Sequence, residues 1–393
     1  MRRLVATGAF FLLALLAATA SLPAGATDAD TDFAVAYQIN QAHTGFQNDP
    51  VLSPPLSLRW SHSFSSSISY PVIAAGKVFV TVRNVSQYGT TLYALDRATG
   101  AISWSRPIPG TYYWSNAAFE GGRVFVVNFD GVLQAFSARD GSTIWTRQLP
   151  GQYAFSSPPV ASNGVVYTGG AGSGGTVYAV SAATGQVRWT RSVANGDNSS
   201  PALSEIALFV SYAGPQVYSF NRSTGAQIWH YNSGSSGGGG KTPVLAPRGL
   251  LFTRDYSSSL VFNSKTGAIV DTFGSVTAPA FSGNIGLFRY NGVLEARTVV
   301  GGTLLWSFAG DGSLTSAPII VRSDSGEHAY VGAGSGMLYA LNLADGSVAW
   351  STNVGSSIPG PDEQNVSQPL TGLAAGQGLL VVPAGNVLRA YGD

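Results

Sequence analysis

The sequence contains no cysteine among its 393 residues. This absence excludes disulfide bonds, thiolate metal sites and a lipid-modified N-terminal cysteine, so packing alone must hold the fold. Charged residues are also scarce, at 10% of the chain. The formal net charge is +1, and without Arg2 and Arg3 it becomes +1 − 2 = −1. A nearly neutral chain offers no basic surface to nucleic acid or anionic membrane, and we expect neither as a partner.

Long apolar runs are absent except at the N terminus. Arg2 and Arg3 precede an apolar run from Leu4 to Ala20, which is followed by small residues at positions 24–26. This pattern predicts a signal peptide over residues 1–26. An N-terminal membrane anchor is the alternative, because the run is nearly long enough to cross a bilayer. The mature chain has no membrane span, and we expect it to be secreted, either extracellular or periplasmic.

The motifs of metal and nucleotide sites are incomplete. The four histidines are dispersed without the spacing of metal ligands. The acidic segment 28–32 lacks the glycine and the distal glutamate of a calcium loop. Residues 233–242 are similar to a phosphate loop, but Ser235 stands where the first glycine is required and the segment leads into a strand. The sequence therefore predicts no metal site and no nucleotide site.

Glycine is abundant, with 49 residues, and it marks a repeat. The segment LYALDRATGAISW, which ends at Trp104, is typical of a β-hairpin. Asp96 can accept hydrogen bonds from the turn, and Gly100 can adopt the positive φ that the turn requires. Another copy keeps the glycine, Gly267, but has Asp271 in place of the tryptophan. Similar segments end at Trp145, Trp189, Trp229, Trp306 and Trp350.

The hairpin glycines recur every 35 to 44 residues, close to the spacing of four-stranded propeller blades. A proline-containing run and a valine-rich run precede the hairpins and supply the other two strands of each blade. Eight such starts predict an all-β fold, an eight-bladed β-propeller over residues 53–393 with a lead-in over residues 27–52. The last unit, from Val366 to Tyr391, lacks an outer strand, so we predict that the strand containing Trp60 completes it and closes the ring.

The repeat resembles the tryptophan-docking motif of the PQQ-like β-propeller superfamily, and the segment from Tyr37 to Phe46 resembles its N-terminal lead-in. The superfamily includes quinoprotein alcohol dehydrogenases and an outer-membrane assembly lipoprotein. The resemblance implies the propeller fold but no particular activity, because one fold hosts many functions. The dehydrogenases typically hold PQQ with adjacent cysteines or equivalent stacking groups, and calcium with Glu, Asn and Asp. Because the cysteines are missing, we expect no cofactor and keep PQQ as an alternative.

Seven tryptophans in the repeat register are predicted to be structural, because each can dock its blade onto the next. Burial of an aromatic side chain contributes at most about 4 to 6 kcal/mol. Asp271 interrupts the series, so we predict that its joint is the weakest in the ring. The docking residues are Trp60, Trp104, Trp145, Trp189, Trp229, Trp306 and Trp350.

Because the four strands of each blade follow one another in an antiparallel meander, the connections between strands lie on two faces of the ring. The TG turns lie on one, here called the turn face. The loops between second and third strands, and those that lead into each blade, lie on the other, the loop face, where irregular chemistry favours a binding site. Trp114, the one tryptophan outside the repeat register, could stack on a ligand or plug the channel mouth. The ligand-binding candidates are Tyr112, Tyr113, Trp114, Asn116, Asn128, Asp130, Tyr153, Asp197, Lys241, Arg254, Asp255 and Arg289.

No catalytic set is recognisable on this face. We therefore predict a monomeric, secreted, non-catalytic propeller that binds a protein, a peptide or a glycan there. Two enzymes remain as alternatives. A carbohydrate-active hydrolase or lyase could use a carboxylate pair from the loop acids. A PQQ-dependent dehydrogenase is disfavoured because parts of its site are missing. The loop acids are Asp130, Asp197, Asp255 and Asp311.

Overall fold

The computed structural model describes residues 32–234, 240–255 and 259–393, so the predicted signal peptide lies outside the described residues. The described chain is all-β. It forms eight sheets of four antiparallel strands, one of which gains a fifth, parallel strand, with a single 3-10 turn at Pro247–Gly249. The predicted eight-bladed propeller is confirmed. Within the described residues, no helix is long and apolar enough to cross a membrane.

The blades follow one another in chain order. Two strands precede blade 1, namely β1 (Phe46–Asn48) and β2 (Ser57–Ser63). Blade 1 has β3 (Val72–Ala74), β4 (Lys77–Arg83), β5 (Thr90–Asp96) and β6 (Ile102–Ile108). Blade 2 has β7 (Ser115–Glu120), β8 (Arg123–Asn128), β9 (Val132–Ser137) and β10 (Thr143–Gln148). Blade 3 has β11 (Val160–Ser162), β12 (Val165–Ala171), β13 (Gly175–Ser181) and β14 (Val187–Val193). Blade 4 has β15 (Ala202–Leu203), β16 (Ala207–Tyr212), β17 (Gln216–Asn221) and β18 (Gln227–Asn232).

The second half of the ring repeats the pattern. Blade 5 has β19 (Val244–Ala246), β20 (Leu250–Arg254), β21 (Ser259–Asn263) and β22 (Ile269–Thr272). Blade 6 has β23 (Ala280–Ser282), β24 (Ile285–Tyr290), β25 (Val293–Thr298) and β26 (Leu304–Phe308). Blade 7 has β27 (Ile319–Ser323), β28 (Gly326–Gly332), β29 (Met337–Asn342) and β30 (Val348–Asn353). Blade 8 has β31 (Ala374–Gly376), β32 (Leu379–Ala384) and β33 (Val387–Gly392), and β2 is its fourth strand.

The ring closes between the two ends of the described chain. β2 pairs antiparallel with β33, and Trp60 stands opposite Ala390. This is the predicted closure, and it is confirmed. The last blade begins at Ala374 and not at Val366, because the preceding residues belong to a loop. The first strands of neighbouring blades contact one another around the channel, whereas fourth strands such as β10 are largely exposed.

The TG turn forms by local hydrogen bonding. In blade 1 the Asp96 carboxylate accepts hydrogen bonds from the backbone N–H groups of Ala98 and Thr99, at 3.1 and 2.9 Å. Gly100 adopts a φ of 70°, which a side chain would disfavour. The register then shifts by one residue between Ala94 and Leu95, a bulge that places Trp104 opposite Ala94. The same bulge recurs opposite the tryptophans of the other blades.

Six tryptophans dock onto the turn of the next blade in one geometry. Each indole lies against the turn glycine, and its Nε1–H donates to the carbonyl three residues before that glycine, over 2.7 to 3.1 Å. Trp229 is representative, because it covers Gly267 and donates to Ser264. The six are Trp60, Trp104, Trp145, Trp189, Trp229 and Trp306.

Two joints differ. The Trp350 ring packs edge-on against Tyr391, with centroids 5.7 Å apart, because no TG turn connects β33 of blade 8 to its fourth strand, β2. In blade 5, Asp271 stands opposite Val261, in the register where Trp229 stands opposite Ser219 in blade 4. Among the residues that the structure describes, no indole covers Gly302 of blade 6, so this joint is open where six others are filled.

The lead-in runs inside the ring and contacts all eight blades near the ends of their first strands. β1 pairs in parallel with β27 of blade 7, which places it inside the innermost strand. The lead-in residues from Asp32 to Asp49 hydrogen-bond in turn to Gln377, Ile73, Phe119, Ala161, Leu203, Leu245, Phe281, Ile320 and Gly378. This segment therefore fills the turn-face end of the channel and ties the blades together.

Candidate functional site

The loop between blades 7 and 8, residues 354–373, closes the other end of the channel. It reaches blade 7 where Thr315 donates to the Ile358 carbonyl at 2.6 Å. It reaches blade 1 where the backbone N–H of Tyr70 donates to Leu370 at 2.8 Å. On the far side of the ring, Gln364 donates to the Gly240 carbonyl. Since the loop contacts opposite blades, the channel mouth on the loop face is covered by the chain itself.

A buried ion pair holds this loop in place. Arg254 Nη2 lies 2.6 Å from Glu363 Oε1, and both side chains are 2% exposed. The other carboxylate oxygen accepts the backbone N–H of Thr242 at 2.6 Å. Burial raises the pKa of Glu363. The charge of Arg254 and these hydrogen bonds lower the pKa by more than burial raises it, so it lies below its usual value. Arg254, predicted as a ligand-binding residue, is thus engaged within the protein.

Trp114 and Asn116 are also buried. The Trp114 side chain is 2% exposed and packs with Phe125 and Val127, against the partly buried Val366 of the loop over the channel. The Asn116 amide faces the backbone of Leu370. Both residues therefore pack under the loop 354–373, and neither offers a surface to a ligand.

Asn128 and Asp130 brace the loop that leads into blade 2. The Asn128 amide donates to the Pro109 carbonyl at 2.6 Å, and its oxygen accepts the N–H of Val132. Asp130 accepts hydrogen bonds from the backbone N–H and the hydroxyl of Thr111. These contacts fix the loop from which the neighbouring aromatic rings project.

The tyrosine candidates lie on loops of the loop face, and with two neighbours they make up what we call the aromatic patch, defined as Tyr88, Tyr112, Tyr113, Phe129 and Tyr153. Four of these rings pack in pairs, and Tyr153 lies on the loop into blade 3, against Gly172. Tyr112 packs on Phe129 with centroids 4.3 Å apart, and Tyr113 packs on Tyr88 at 4.9 Å. The rings come from the loops of blades 1 to 3. Tyr88, Tyr112 and Tyr153 are 59%, 44% and 68% exposed, so much apolar surface faces solvent.

The charged candidates lie on other blades. Asp197, Lys241, Asp255 and Arg289 are half-buried. Burial raises the pKa of Asp197 and lowers that of Lys241. Arg289 donates to the Leu314 carbonyl at 3.1 Å, between blades 6 and 7. The structure therefore does not gather the twelve candidates into one site.

The four loop acids come from different blades. Asp130 belongs to blade 2, Asp197 precedes blade 4, Asp255 follows β20 of blade 5 and Asp311 precedes blade 7. Hydrogen bonds from Ser335 and Ser313 lower the pKa of Asp311 and bind its carboxylate to its own loop and to the loop after β28. The Asp130 carboxylate accepts hydrogen bonds from Thr111.

Three residues that shape the loop face were not among the twelve ligand-binding candidates. Tyr88 and Phe129 lie in short loops between second and third strands. Their aromatic side chains at the tips of these loops are the sequence feature that could have identified them. Glu363 is flanked by polar residues in an irregular segment, and its partner Arg254 is 109 positions away. No sequence pattern links two residues at that separation.

The sequence profile of the family described as "Outer membrane protein assembly factor BamB" matches residues 54–212 and again residues 213–388. These matches cover most of the chain. The chain belongs to this family. Curated BamB proteins of Escherichia coli (strain K12) and Shigella dysenteriae serotype 1 are each 28% identical over 106 residues. That alignment covers 25% of this chain and 27% of either relative, about a quarter of their length.

Solved structures share the fold. A europium-containing methanol dehydrogenase has a TM-score of 0.74 at 14% identity, over 93% of this chain and 98% of its own. A quinohemoprotein alcohol dehydrogenase from Comamonas testosteroni has 0.72 at 14% identity, over 93% and 81%. BamB from Moraxella catarrhalis has 0.63 at 18% identity, over 86% and 100%. At these identities the likeness shows a BamB-like and dehydrogenase-like propeller fold. It does not show an activity.

The residues around the channel do not fit a quinone with a metal ion. Among the described residues, no group of three or more His, Asp or Glu side chains is arranged to hold a metal. Both carboxylate oxygens of Glu363 already accept hydrogen bonds from Arg254 and Thr242. The loop 354–373 also occupies the mouth through which a planar cofactor would enter.

Proposed function

We propose that the protein is an exported, non-catalytic propeller that binds a protein or peptide partner through the aromatic patch. The patch carries this proposal, because it places several exposed aromatic rings on loops that the blades hold rigidly. Tyrosine is enriched where proteins bind one another, since its ring buries a large area and its hydroxyl remains hydrated. The name of the BamB relatives, an assembly factor, supports a role in binding proteins.

A glycan is the second candidate ligand. Exposed tyrosine rings such as Tyr112 and Tyr153 present flat apolar faces next to hydroxyl groups, and this combination also suits a sugar ring. The enzymatic alternatives receive less support. The loop acids come from separate blades, and the loop 354–373 covers the channel mouth.

Affinity capture from the exported fraction of the source cells, with chemical crosslinking, tests the proposal. The variant Tyr112→Ser/Tyr153→Ser removes two exposed rings of the patch. Val348→Ser is the control, because Val348 is 51% exposed on β30 of blade 7, outside the patch. We expect a partner that is captured by the native protein and by the control, and is lost with the double variant.

Other outcomes would redirect or contradict the proposal. Binding of a polysaccharide panel that is lost with the same double variant would identify a glycan as the ligand. Capture that survives the double variant but fails with Val348→Ser would move the interface to blade 7. Turnover of an alcohol or a polysaccharide by the purified protein would contradict a non-catalytic role.

A further inference from the structure

The open joint between blades 5 and 6 contains a cavity of about 430 Å³. It lies between the outer strand of blade 5 and β25 of blade 6. Its walls include Phe252, Phe273, Phe288 and Tyr290, and Asp271 and Gly302 also line it. The volume is within the range of small-molecule sites. The cavity occupies the place where the other joints hold a docked indole.

The features that receive an indole elsewhere are present here. Gly302 has a φ of 59°, and a Cβ added to it would meet nothing within 4 Å. At the six filled joints the same added atom would lie 2.6 or 2.7 Å from an indole carbon. Val299 lies three residues before Gly302, so its carbonyl corresponds to the acceptors of the six Nε1–H groups. Within the described residues, no donor reaches that carbonyl.

The aromatic wall is also retained. In blade 4, Phe209 lies beside Trp229 with ring centroids 6.0 Å apart. Phe252 holds the corresponding place in blade 5 and packs instead on Phe273, at 5.1 Å. Phe273 is partly buried and approaches from the side, so it narrows the cavity without filling it.

One wall residue differs from the other blades and favours an aromatic ligand. The position five residues before the turn glycine is apolar in the others, for example Phe262 and Leu341, but is Arg297 in blade 6. Its guanidinium is held by Glu295 at 2.8 Å and by the Gly302 carbonyl at 2.8 Å. A fixed guanidinium beside an open cavity can stack on an electron-rich ring, and indole is the best of these.

The protein cannot supply this indole from its own chain without opening another joint. The sequence has eight tryptophans, all within the described residues. Seven are the docking residues of the other joints, and Trp114 is buried under the loop over the channel. The side chain that would fill the cavity must therefore come from another molecule.

We propose that the joint between blades 5 and 6 is an open indole socket, which binds a tryptophan side chain presented by a partner protein. The indole would contact the face of Gly302 and the wall of Phe252, with the Val299 carbonyl as acceptor for its N–H. The socket is separate from the aromatic patch, so failure of either experiment leaves the other proposal standing.

Ligand-observed fluorine NMR with N-acetyl-5-fluorotryptophanamide tests the socket, because the tryptophans of the protein give no fluorine signal. One docked side chain without further contacts corresponds to a dissociation constant on the order of 1 mM. We expect line broadening of the probe by the native protein, and no competition from N-acetylleucinamide.

Two variants locate the binding. Gly302→Ala places a methyl group where the indole would lie, and we expect at least about a tenfold loss of affinity, which is the effect of 1.4 kcal/mol. Gly301→Ala is the matched control, because Gly301 also has a positive φ, 81°, and open space at its Cβ, but lies outside the docking position. The Gly301→Ala variant should bind the probe with the same affinity as the native protein.

Asp271→Trp gives a second, independent readout. The introduced indole would fill the socket from inside, so the probe should no longer bind, and the protein should become more stable. Val270→Trp, one residue earlier on the same strand and 53% exposed, adds the same ring outside the socket and should leave binding intact. Absence of broadening with the native protein, or equal broadening with Gly302→Ala and Asp271→Trp, would overturn the proposal.

Discussion

Blade 5 has a filled joint on one side and an open joint on the other. Towards blade 4, the indole of Trp229 covers Gly267 and donates to the Ser264 carbonyl. Towards blade 6, Asp271 occupies the same register and Gly302 is uncovered. The hydrogen bond that closes the hairpin is present in both turns, from the N–H of Asn263 to Ala268 and from the N–H of Thr298 to Thr303, so the hairpin forms without an indole over it. What the indole adds is the contact between blades.

The open joint is held in other ways. Phe252 of blade 5 packs against Phe281 and Phe288 of blade 6, with centroids 4.6 and 5.9 Å apart. Arg254 of blade 5 also donates to the Val276 carbonyl, just before blade 6, at 3.4 Å. These contacts lie towards the channel, whereas the missing indole belongs nearer the rim. We therefore expect the joint to be weak mainly at its outer edge.

Removal of a docked indole should have the largest effect. Trp229→Ala is expected to lower the free energy of unfolding by about 3 to 5 kcal/mol, because a large cavity forms in a packed joint. Asp271→Ala at the exposed equivalent position should change it by less than about 0.5 kcal/mol. Denaturant unfolding of both variants measures the difference, and similar values would show that docking does not stabilise the ring.

Loss of the ion pair over the channel should have a comparable effect by another mechanism. Glu363→Gln leaves the buried Arg254 without its counter-charge, which typically costs about 3 to 5 kcal/mol. The lowered pKa of Glu363 also predicts a pH dependence. Its contribution to stability is present above about pH 4.3, the usual value for the unfolded chain, and is lost as the pH falls through the folded-state value. The variant should show a smaller loss of stability with acid than the native protein.

Alanine at the turn glycines should separate filled joints from the open one. Gly346→Ala combines backbone strain at a φ of 74° with an atom only 2.6 Å from the Trp306 ring. Gly302→Ala has the strain alone, which costs about 1 to 2 kcal/mol. Thermal unfolding should therefore show a larger decrease in melting temperature for Gly346→Ala. Equal decreases would mean that the indole moves aside without cost.

Filling the open joint should have a smaller effect on stability than removal of a docked indole, and the effect is a gain. Asp271→Trp is expected to raise the free energy of unfolding by about 0.5 to 2 kcal/mol, the usual range for filling a cavity. Val270→Trp, on the outer side of the strand, provides the comparison and should give no gain. Destabilisation by Asp271→Trp alone would show that Phe273 and Arg297 have closed the cavity to an indole.

The blades and the ring closure were predictable because the TG turn, the bulge and the docked tryptophan are local and recur at a fixed spacing. The absence of an indole at Asp271 was predictable from the sequence for the same reason. The route of the lead-in from Asp32 to Asp49 was not, since its partners are backbone groups on eight different blades, which leave no side-chain pattern.

The site was less predictable than the fold. Trp114 and Asn116 stood out by residue type, but the loop 354–373 covers them, and an irregular loop has no periodicity that reveals its path. Arg254 stood out as a charge, yet its partner Glu363 lies on that same loop. The exposure of Tyr112 and Tyr153 was predictable, because a short loop on a propeller leaves its side chains little choice but to point into solvent.

Native-state hydrogen exchange at matched turn amides tests most directly whether the docked tryptophan sets the strength of a joint. The N–H of Asn263 donates to Ala268 at 2.8 Å in the turn that Trp229 covers, and the N–H of Thr298 donates to Thr303 at 2.9 Å in the uncovered turn. The two hydrogen bonds are nearly equal in length, so differences in opening report on docking. We predict faster exchange at Thr298, and a rate in Asp271→Trp that approaches that of Asn263. Equal protection of the two amides in the native protein would contradict the account.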